Sequence, residues 1–385
     1  MRVDVAVIGG GPAGTAAALT LRHYSNLRVA LLERGDYSRP RIGETVGPGL
    51  QSLLAYLGLW EKFVAAGHRP AQGTAAAWGS DEIFRQEFFF TGRGEGWHLD
   101  RRRFDRMLAD GVHETGGTIL LNTAFRSIAC GPRGDWEITG QRDNGQRVEI
   151  KARFVIDATG RATLVCRHLG ARPKIVDRLV GITAFIDLPK STGEETFALV
   201  ETCRDGWWYS ARLPRQGMAV AFMSDPEVVR KLKAHQACGW EALLASTRYT
   251  RARVAGASSP ENLFSRPAGS QWLRPAGGPG WLAVGDAAAA FDPLSSMGIG
   301  QALTTGMHAA RAAHGALEGD AELAKDYVRA VAQNFERFLQ IRRNYYRVEQ
   351  RWNGEPFWRR RHAEPARPIV SVLEQRETRL VSAIA

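Results

Sequence analysis

The chain contains 385 residues, 44 % of them hydrophobic and 24 % charged, with a formal net charge of +11; this composition excludes a disordered or fibrous chain and predicts two or three connected folded units. No stretch reaches the roughly 20 apolar residues of a membrane span, and Met1 leads directly into an apolar run, so we expect a cytoplasmic protein with no membrane span. The basic residues form no nucleic-acid-binding motif and the four cysteines have no metal-ligand spacing, which argues against a nucleic-acid partner and a metal site.

The first block of the chain has the pattern of a dinucleotide-binding turn. Residues 3–8 form a short apolar run typical of a buried parallel strand. Three glycines follow: Gly9 permits a tight turn, Gly11 lets the backbone approach a pyrophosphate, and Gly14 allows a helix to pack closely on the strand. The predicted helix, residues 13–24, directs its N-terminal N–H groups at the phosphates.

A carboxylate follows this turn at the spacing expected for a ribose contact. Residues 27–32 predict a second strand, and Glu33 comes directly after it, 19 residues beyond Gly14. A carboxylate in this position accepts hydrogen bonds from the ribose hydroxyls of a dinucleotide. Strand, helix and acid together favour a bound dinucleotide over a glycine-rich turn that binds nothing.

Two later blocks repeat the pattern of an apolar strand that ends in a glycine and aspartate turn. One covers residues 154–161 and the other residues 281–286. The second continues to Pro293 and to the sequence Gly298-Ile299-Gly300. The three blocks predict one binding site that is assembled from distant parts of the chain.

These blocks resemble the family of FAD-dependent aromatic monooxygenases and flavin-dependent halogenases, with which geranylgeranyl reductases share a fold. The resemblance extends over residues 1–310 and includes a helix that begins at Arg101. It implies FAD as the cofactor, because an NAD dehydrogenase would not need the second and third blocks. The predicted cofactor-binding residues are Gly9, Gly11, Pro12, Ala13, Gly14, Glu33, Arg34, Arg41, Arg101, Asp157, Gly160, Gly285, Asp286, Pro293, Gly298, Ile299 and Gly300.

The resemblance also implies the fold and the place of each segment on the cofactor. It implies an α/β (α+β) fold: a Rossmann-like FAD-binding domain of the glutathione-reductase type, an inserted antiparallel β-sheet substrate domain and C-terminal helices. The turn at Gly285 and Asp286 would meet the ribityl and pyrophosphate part of FAD. The helix that starts near Gly298 would face the flavin pyrimidine edge, where its N-terminus favours negative charge on the reduced ring.

Short strand-like runs separated by turn residues lie between the FAD-binding blocks and predict the sheet over the flavin. These runs cover residues 74–78, 82–90, 180–188, 195–202, 206–213 and 217–224. The chain would therefore alternate between two domains before it becomes helical near Glu322. The predicted boundaries are 1–72, 97–175 and 273–320 for the FAD-binding domain, 73–96 and 176–272 for the substrate domain, and 321–385 for the C-terminal helical region.

The resemblance implies monooxygenase chemistry. Reduced flavin and O2 give a C4a-hydroperoxide with an electrophilic distal oxygen, and delivery of that oxygen to an electron-rich ring chiefly requires positioning and exclusion of water. The electrons would come from NAD(P)H or from a separate reduced flavin, since no second nucleotide fingerprint occurs in the sequence. Glu44 is a candidate base for a ring proton; the alternative is a surface carboxylate.

Halogenation is the less favoured chemistry because three halogenase features are missing. Tryptophan-type halogenases carry a Lys early in the substrate sheet, but no Lys occurs between Lys62 and Lys151. Their Trp-x-Trp-x-Ile-Pro motif is replaced by residues 209–214, Tyr-Ser-Ala-Arg-Leu-Pro, and Ser295 stands where their Glu would lie. Without this ammonium and carboxylate, the site lacks the groups that polarise hypohalous acid and take up the ring proton.

Four further segments resemble flavoprotein monooxygenases that hydroxylate a peptidyl Trp in tryptophylquinone cofactor biogenesis. They are residues 41–45, 77–80, 96–100 and 206–210. The resemblance implies a protein or peptide partner that bears the Trp, with Trp207, Trp208 and Tyr209 lining the pocket for its ring. The alternative is that these three are ordinary core aromatics. A small-molecule aromatic hydroxylase, a flavin reductase acting on prenyl double bonds and a non-catalytic flavoprotein also remain open.

Overall fold

The computed structural model describes residues 1–91, 94–189, 195–214 and 217–364. Within them the chain forms a mixed α/β fold with two large sheets, two three-stranded sheets and surrounding helices. The strands, in chain order, are β1 (Arg2–Ile8), β2 (Val29–Leu32), β3 (Thr45–Val46), β4 (Arg69–Ala71), β5 (Gly73–Ala77), β6 (Phe84–Glu87), β7 (Gly96–His98), β8 (Thr118–Leu120), β9 (Thr123–Cys130), β10 (Trp136–Arg142), β11 (Arg147–Asp157), β12 (Pro173–Ile175), β13 (Val180–Asp187), β14 (Phe197–Cys203), β15 (Gly206–Arg212), β16 (Gly217–Ser224), β17 (Phe264–Pro267), β18 (Gln271–Leu273), β19 (Gly277–Gly278), β20 (Trp281–Ala283) and β21 (Ala289–Ala290).

The helices connect and cover these sheets. They are α1 (Pro12–Tyr24), α2 (Leu50–Tyr56), α3 (Trp60–Ala65), α4 (Arg101–Glu114), α5 (Leu164–His168), α6 (Pro226–Lys231), α7 (Ala237–Ala245), α8 (Tyr249–Arg253), α9 (Gly298–Leu317), α10 (Glu322–Val348) and α11 (Pro356–His362). Short 3-10 turns occur at Phe89–Thr91, Gly160–Ala162, Gly285–Ala287 and Pro293–Ser295.

The eight-stranded sheet brings the three glycine blocks to one edge. Strands β20, β11, β1, β2 and β8 are neighbours in this order and run parallel, so their carboxyl ends share that edge. The register places Ile8 beside Asp157, and Asp157 beside Ala283. The turns after β1, β11 and β20 therefore lie side by side, which confirms the predicted dinucleotide-binding architecture.

Helices α1 and α9 pack closely because small residues line their contact. A Cβ at Gly306 would lie only 2.2 Å from the carbonyl oxygen of Ala13. The buried side of α1 is also small, with Ala16, Ala17 and Ala18 fully covered. This close packing places the start of α9 beside the turn that follows β1.

The seven-stranded sheet has the order β17-β13-β16-β15-β14-β5-β6 and contains the predicted substrate strands. Its neighbours are antiparallel except at one pair: β5 and β14 run parallel. The predicted antiparallel sheet is confirmed at the other pairs and differs only at this one. A parallel pair requires a long connection, and the FAD-binding segment between Ala77 and Phe197 provides one.

The two faces of this sheet are covered by different helices. On one face Trp208 and Phe222 pack with Trp240 of α7. On the opposite face Trp207 packs with Tyr346 of α10 and with α11. A small sheet of β3, β7 and β4 lies between the substrate strands and the FAD-binding domain, and pairs Thr45 with His98.

The C-terminal region is helical in its described part, as predicted, with α10 and α11 covering residues 322–348 and 356–362. The rest of that predicted region, residues 365–385, lies outside the described residues. Among the helices of residues 1–91, 94–189, 195–214 and 217–364, none is both long and apolar enough to cross a membrane.

A buried ion network fixes α10 to the loop that precedes α9. The guanidinium of Arg342 is almost fully buried and pairs with Asp292 at 3.0 Å, Asp177 at 3.1 Å and Glu364 at 2.8 Å. Asp292 has no exposed surface, and it also accepts a hydrogen bond from the Tyr346 hydroxyl at 2.8 Å. Buried charges of this kind are stable only while each keeps its partners.

Replacement of Arg342 by Met should lower the free energy of unfolding by about 3–5 kcal/mol, because it leaves the Asp292 carboxylate buried and short of its cationic partner. Urea denaturation at pH 7 measures the change. Arg329→Met is the matched control: Arg329 lies on the same helix and pairs with Asp326, but its side chain is 65 % exposed. A loss as small as the control's would contradict this account of the network.

Candidate active site

The turn after β1 has the geometry of a phosphate cradle. Gly9 has a φ of +112°, and a Cβ there would lie 2.2 Å from the carbonyl oxygen of Ala158. A Cβ at Gly14 would lie 1.9 Å from the carbonyl oxygen of Gly9, so α1 can approach the strand only without it. A Cβ at Gly11 would meet nothing within 4 Å. Packing therefore requires Gly9 and Gly14, whereas Gly11 leaves space in front of the helix that begins at Pro12.

Glu33 is buried directly after β2, and its carboxylate accepts hydrogen bonds from groups beside this cradle. One carboxylate oxygen accepts the N–H of Gly10 at 2.7 Å. The other accepts the N–H of Gly35 at 3.0 Å and a guanidinium N–H of Arg41 at 3.1 Å. The structure thus places Glu33 and Arg41 together beside the glycine turn, whereas the neighbouring Arg34 is exposed.

Asp105 connects Arg41 to Arg101, the other arginine predicted at the cofactor. Arg101 forms two hydrogen bonds to this carboxylate, both at 3.0 Å, and a third to the carbonyl oxygen of Ile42 at 2.5 Å. Arg41 donates to the same carboxylate at 3.1 Å. Asp105 was not predicted as a site residue, although it lies in the helix segment that carried the family resemblance. Arg101 therefore holds the backbone at residue 42 in place.

Asp157 shapes its own turn instead of facing the cofactor. Its carboxylate is fully buried and accepts hydrogen bonds from the N–H and hydroxyl of Thr159 and from the N–H of Cys166. The predicted direct contact with the cofactor is therefore wrong for this side chain. The turn that it stabilises contains Gly160, which has a φ of +66° and no atoms within 4 Å of a Cβ position.

The turn after β20 is fixed by residues that the sequence analysis did not select. Gly285 has a φ of +55°, and its N–H donates to the Thr305 hydroxyl at 2.9 Å. Asp286 pairs with Arg161 at 3.4 Å, and burial raises the pKa of this carboxyl. Arg161 is the last residue of the second glycine block, residues 154–161, and could have been proposed as a site residue from its positive charge. Thr305 carried no signal, because its role depends on helix α9 folding back over the turn.

The start of α9 lies against the segment that follows Arg41. Gly43 has a φ of +106°, and a Cβ there would lie 3.9 Å from the side chain of Ile299. Cβ positions at Gly298 and Gly300 meet nothing within 4 Å. Pro293 lies in the short turn before the helix. The first turn of α9 is therefore open on the side of the glycines, where its N–H groups can face an anionic group.

Glu44 is the most unusual titratable residue of the site. It is 1 % exposed, and both carboxylate oxygens lack a hydrogen-bond partner among the described residues. Burial raises the pKa of this carboxyl to about 7, against smaller lowering by its own backbone N–H, by the positive charge of Arg101 and by the N–H of Gly43. The surface position considered from the sequence is therefore wrong, and a carboxyl that titrates near neutrality is suited to proton transfer.

A hydrogen-bonded series connects Tyr209 to His98 beside Glu44. His98 is fully buried, which lowers its pKa to about 4 and keeps the ring neutral. Its Nε2 lies 3.2 Å from the carbonyl oxygen of Thr196, which can only accept, so Nε2 carries the hydrogen and Nδ1 accepts. The Thr45 hydroxyl donates to Nδ1 at 3.0 Å, and the Tyr209 hydroxyl donates to Thr45 at 2.7 Å.

The three consecutive aromatics of β15 do not line one pocket. Trp208 points to the face covered by α7 and is fully buried against Trp240. Trp207 is 1 % exposed on the other face, where its Nε1 donates to the Tyr346 hydroxyl at 3.1 Å. The predicted pocket role is therefore wrong for both tryptophans, which are core residues. Tyr209 is only partly buried and bonds to Thr45, so it alone of the three stays a candidate.

These residues fit an FAD. The open positions at Gly11, Gly298 and Gly300 lie at helix N-termini that suit phosphate and flavin oxygens. Glu33 with its partner Arg41 lies beside the glycine turn after β1, and Asp286 with its partner Arg161 lies in the turn after β20. When bound, FAD would supply two-electron redox chemistry between the glycine edge of the large sheet and the substrate sheet.

A dinucleotide cradle at the carboxyl edge of a parallel sheet, faced by a second sheet, defines a flavoprotein oxidoreductase. Residues 2–329 match the family described as FAD binding domain, and the chain belongs to that family. It is an FAD-dependent oxidoreductase whose relatives are flavin-dependent halogenases and monooxygenases.

Three known proteins illustrate the range of similarity. The chain is 34 % identical to the putative FAD-dependent oxidoreductase LodB of Marinomonas mediterranea, over 94 % of this chain and 97 % of LodB. The flavin-dependent halogenase CmlS is 25 % identical with a TM-score of 0.84, over 95 % of this chain and 68 % of CmlS. The peptidyl tryptophan dihydroxylase QhpG is 25 % identical with a TM-score of 0.75, over 97 % of this chain and 81 % of QhpG. Several relatives at 24–26 % identity are named as halogenases, chlorinases or brominases.

A side chain at Gly11 should separate cofactor binding from folding. Gly11→Val should raise the dissociation constant for FAD at least about 100-fold, because the side chain would fill the space that the pyrophosphate needs. The free energy of unfolding without flavin should change by less than about 1 kcal/mol, since a Cβ meets no atom there. Flavin fluorescence titration and urea denaturation measure the two quantities. Gly354→Val, at another open position, should change neither, and unimpaired FAD binding by Gly11→Val would contradict this placement of the phosphates.

Glu44 should reduce the stability of the flavin-free protein as the pH rises. Its folded pKa of about 7 exceeds the ordinary value of 4.5, so unfolding releases a proton between these pH values and the folded state becomes less favoured. Glu44→Gln should therefore be more stable than the wild type at pH 8 by about 3 kcal/mol, and nearly equal to it at pH 4.5. Urea denaturation at both pH values tests this. An equal difference at the two values would show that Glu44 does not titrate in this range.

Proposed function

We propose that this chain is an FAD-dependent monooxygenase that adds oxygen to the indole ring of a Trp residue in a partner polypeptide. The proposal takes its reaction from the similarity to the peptidyl tryptophan dihydroxylase, which extends over 97 % of this chain. The similarity to LodB is greater, but that name specifies only an FAD-dependent oxidoreductase.

The observation that carries the proposal is the replacement of halogenase residues in a chain whose fold is similar to both classes. Ser295 stands at the position of the family's carboxylate, and its hydroxyl donates to the carbonyl oxygen of Asp292 at 2.9 Å. Strand β5, where a halogenase Lys would be expected, has the sequence Gly-Thr-Ala-Ala-Ala. Oxygen transfer needs neither group, whereas halogenation would lose both its polarising cation and its base.

Each oxygen insertion would balance with the following reactants. One O2, two electrons and two protons are consumed, the electrons coming from NAD(P)H or reduced flavin; one oxygen atom enters the ring as a hydroxyl group and the other leaves as water. The ring C–H bond breaks, its electron pair restores aromaticity, and its proton is released to a base or to water. The protein would bind and orient the ring, exclude water and hold the buried carboxyl of Glu44 near the reaction.

The test uses the FAD-loaded protein, NAD(P)H, O2 and the precursor polypeptide of a quinone-cofactor amine oxidase or dehydrogenase. Mass spectrometry of the digested precursor should show one or two added oxygen atoms on a Trp. A precursor with that Trp replaced by Phe should gain none. An unmodified precursor, together with turnover of a free phenol or indole, would make the chain a small-molecule hydroxylase. Addition of chlorine or bromine from supplied halide would make it a halogenase.

A further inference from the structure

In the described part of the chain no side chain donates a hydrogen bond to the carboxylate of Glu44, and the backbone N–H groups of Gly43 and Glu44, although close enough to lower its pKa, do not reach hydrogen-bond geometry. Two side-chain donors, Arg101 and Tyr209, lie near enough to interact with its charge. Burial is the main cause of the raised pKa values of Glu44 and Tyr209; the charge of Arg101 partly lowers the pKa of Glu44, and the charge of Glu44 adds to the rise at Tyr209. Neither residue donates to Glu44: both of its oxygens are buried and lack a partner among the described residues. The reason is that both donors already have other acceptors.

Arg101 directs its guanidinium elsewhere. Its Nε and one terminal nitrogen bond to Asp105, and the other terminal nitrogen bonds to the carbonyl oxygen of Ile42. Rotation toward Glu44 would break a buried ion pair, since the Asp105 side chain is 1 % exposed.

The hydroxyl of Tyr209 also donates its hydrogen elsewhere, to the Thr45 hydroxyl. The neutral His98 ring can accept a hydrogen bond only at Nδ1, so the Thr45 hydroxyl donates its hydrogen to Nδ1. The Thr45 hydroxyl has no second hydrogen, so Tyr209 is the donor in the bond between these two hydroxyls. The direction of this series leaves the Tyr209 hydroxyl without a hydrogen for Glu44.

A buried carboxyl without a hydrogen-bond partner is costly, and such groups in native proteins generally receive a partner from a ligand or water. We propose that Glu44 is the acceptor for the indole N–H of the substrate Trp, and that this contact selects an N–H-bearing ring and orients it for oxygen transfer. The choice of indole rests on the proposed function.

The contact would also favour the reaction. When an electrophilic oxygen atom bonds to the indole ring, positive charge develops on the ring and on its nitrogen. A carboxylate hydrogen-bonded to that N–H stabilises the charge more strongly as it forms, and this is differential stabilisation of the transition state. The N–H stays attached to nitrogen throughout, so the contact adds no further bond change to the balanced reaction.

The flavin ring contains an N–H of its own and is the other source of a donor at this place. Gly43, the residue before Glu44, lies near the start of α9, since a Cβ built on it would be 3.9 Å from the side chain of Ile299; the family resemblance places the flavin there. The experiment must therefore measure FAD affinity and indole affinity separately.

The binding experiment uses the FAD-loaded protein and two probes, N-acetyl-tryptophanamide and its 1-methylindole derivative. Perturbation of the flavin absorbance spectrum gives the dissociation constant of each probe without turnover. The variants are Glu44→Gln, which keeps the shape but removes the charge, and Glu44→Met, which removes the acceptor. Glu87→Gln, on the exposed edge strand β6 of the substrate sheet, is the matched control.

The wild type and the control should bind the N–H probe roughly 10- to 100-fold more tightly than the methylated probe, as expected for a hydrogen bond to a charged group. In Glu44→Gln this preference should fall to a few-fold, and in Glu44→Met it should vanish. The dissociation constant for FAD should change less than about 3-fold in either variant.

Three results would overturn the inference. Equal or undetectable binding of both probes by the wild type would exclude an N–H acceptor for indole. A preference that persists in both Glu44 variants would assign it to the bulk of the methyl group. A loss of FAD affinity of 10-fold or more, with the indole preference unchanged, would assign the flavin as the donor. A preserved N–H preference in a chain that leaves the precursor Trp unmodified would instead overturn the proposed function and leave the indole site standing.

Discussion

The contact between helices α1 and α9 determines where every other part of the site can lie. At Gly306 the backbone of α9 approaches the carbonyl oxygen of Ala13 so closely that even a methyl group would collide. The same helix is fixed at the Gly285 turn through the Thr305 hydroxyl. These contacts bring the N-terminus of α9 to the glycine turn that follows β1. Without them, residues nearly 300 positions apart in the chain could not share one cofactor.

The charged residues of the site fall into two groups that differ in how their hydrogen bonds are satisfied. Asp105 is buried between Arg41 and Arg101, and Asp292 is buried against Arg342 and Tyr346, so each carboxylate holds two segments in place. Glu44 is equally buried but has no such partner among the described residues. Structural ion networks and functional carboxyls can both show shifted pKa values. The absence of a protein donor therefore distinguishes Glu44 better than its pKa does.

The sequence predicted the parts of this structure that depend on local backbone conformation. Gly9 and Gly14 stand where a Cβ would collide with the backbone, and such positions are visible in a sequence because only glycine can fill them. The parallel strands β1, β2 and β11 were visible for a similar reason, as short apolar runs. The substrate strands followed from their spacing and turn residues.

The sequence was less informative where a role depends on which side chains meet after folding. Asp157 looked like a cofactor ligand, yet its carboxylate bonds to its own turn. Trp207 and Trp208 cannot share a pocket, because successive residues of a strand point to opposite faces; the period-two rule could have shown this in advance. Asp105 became recognisable only once its partner Arg41, from another segment, was in place.

Helix α10 connects the FAD-binding sheet to the substrate sheet and so restricts the ways in which a large substrate could reach the site. Its 27 residues span about 40 Å, and it is attached to both halves of the molecule. Near one end the Tyr327 hydroxyl donates to the carbonyl oxygen of Ala283 in the FAD-binding sheet; near the other Tyr346 bonds to Trp207 of the substrate sheet. A helix that is bonded to both sheets in this way opposes hinge opening between them. A polypeptide substrate of the kind proposed would then have to reach the site without hinge opening between the two sheets.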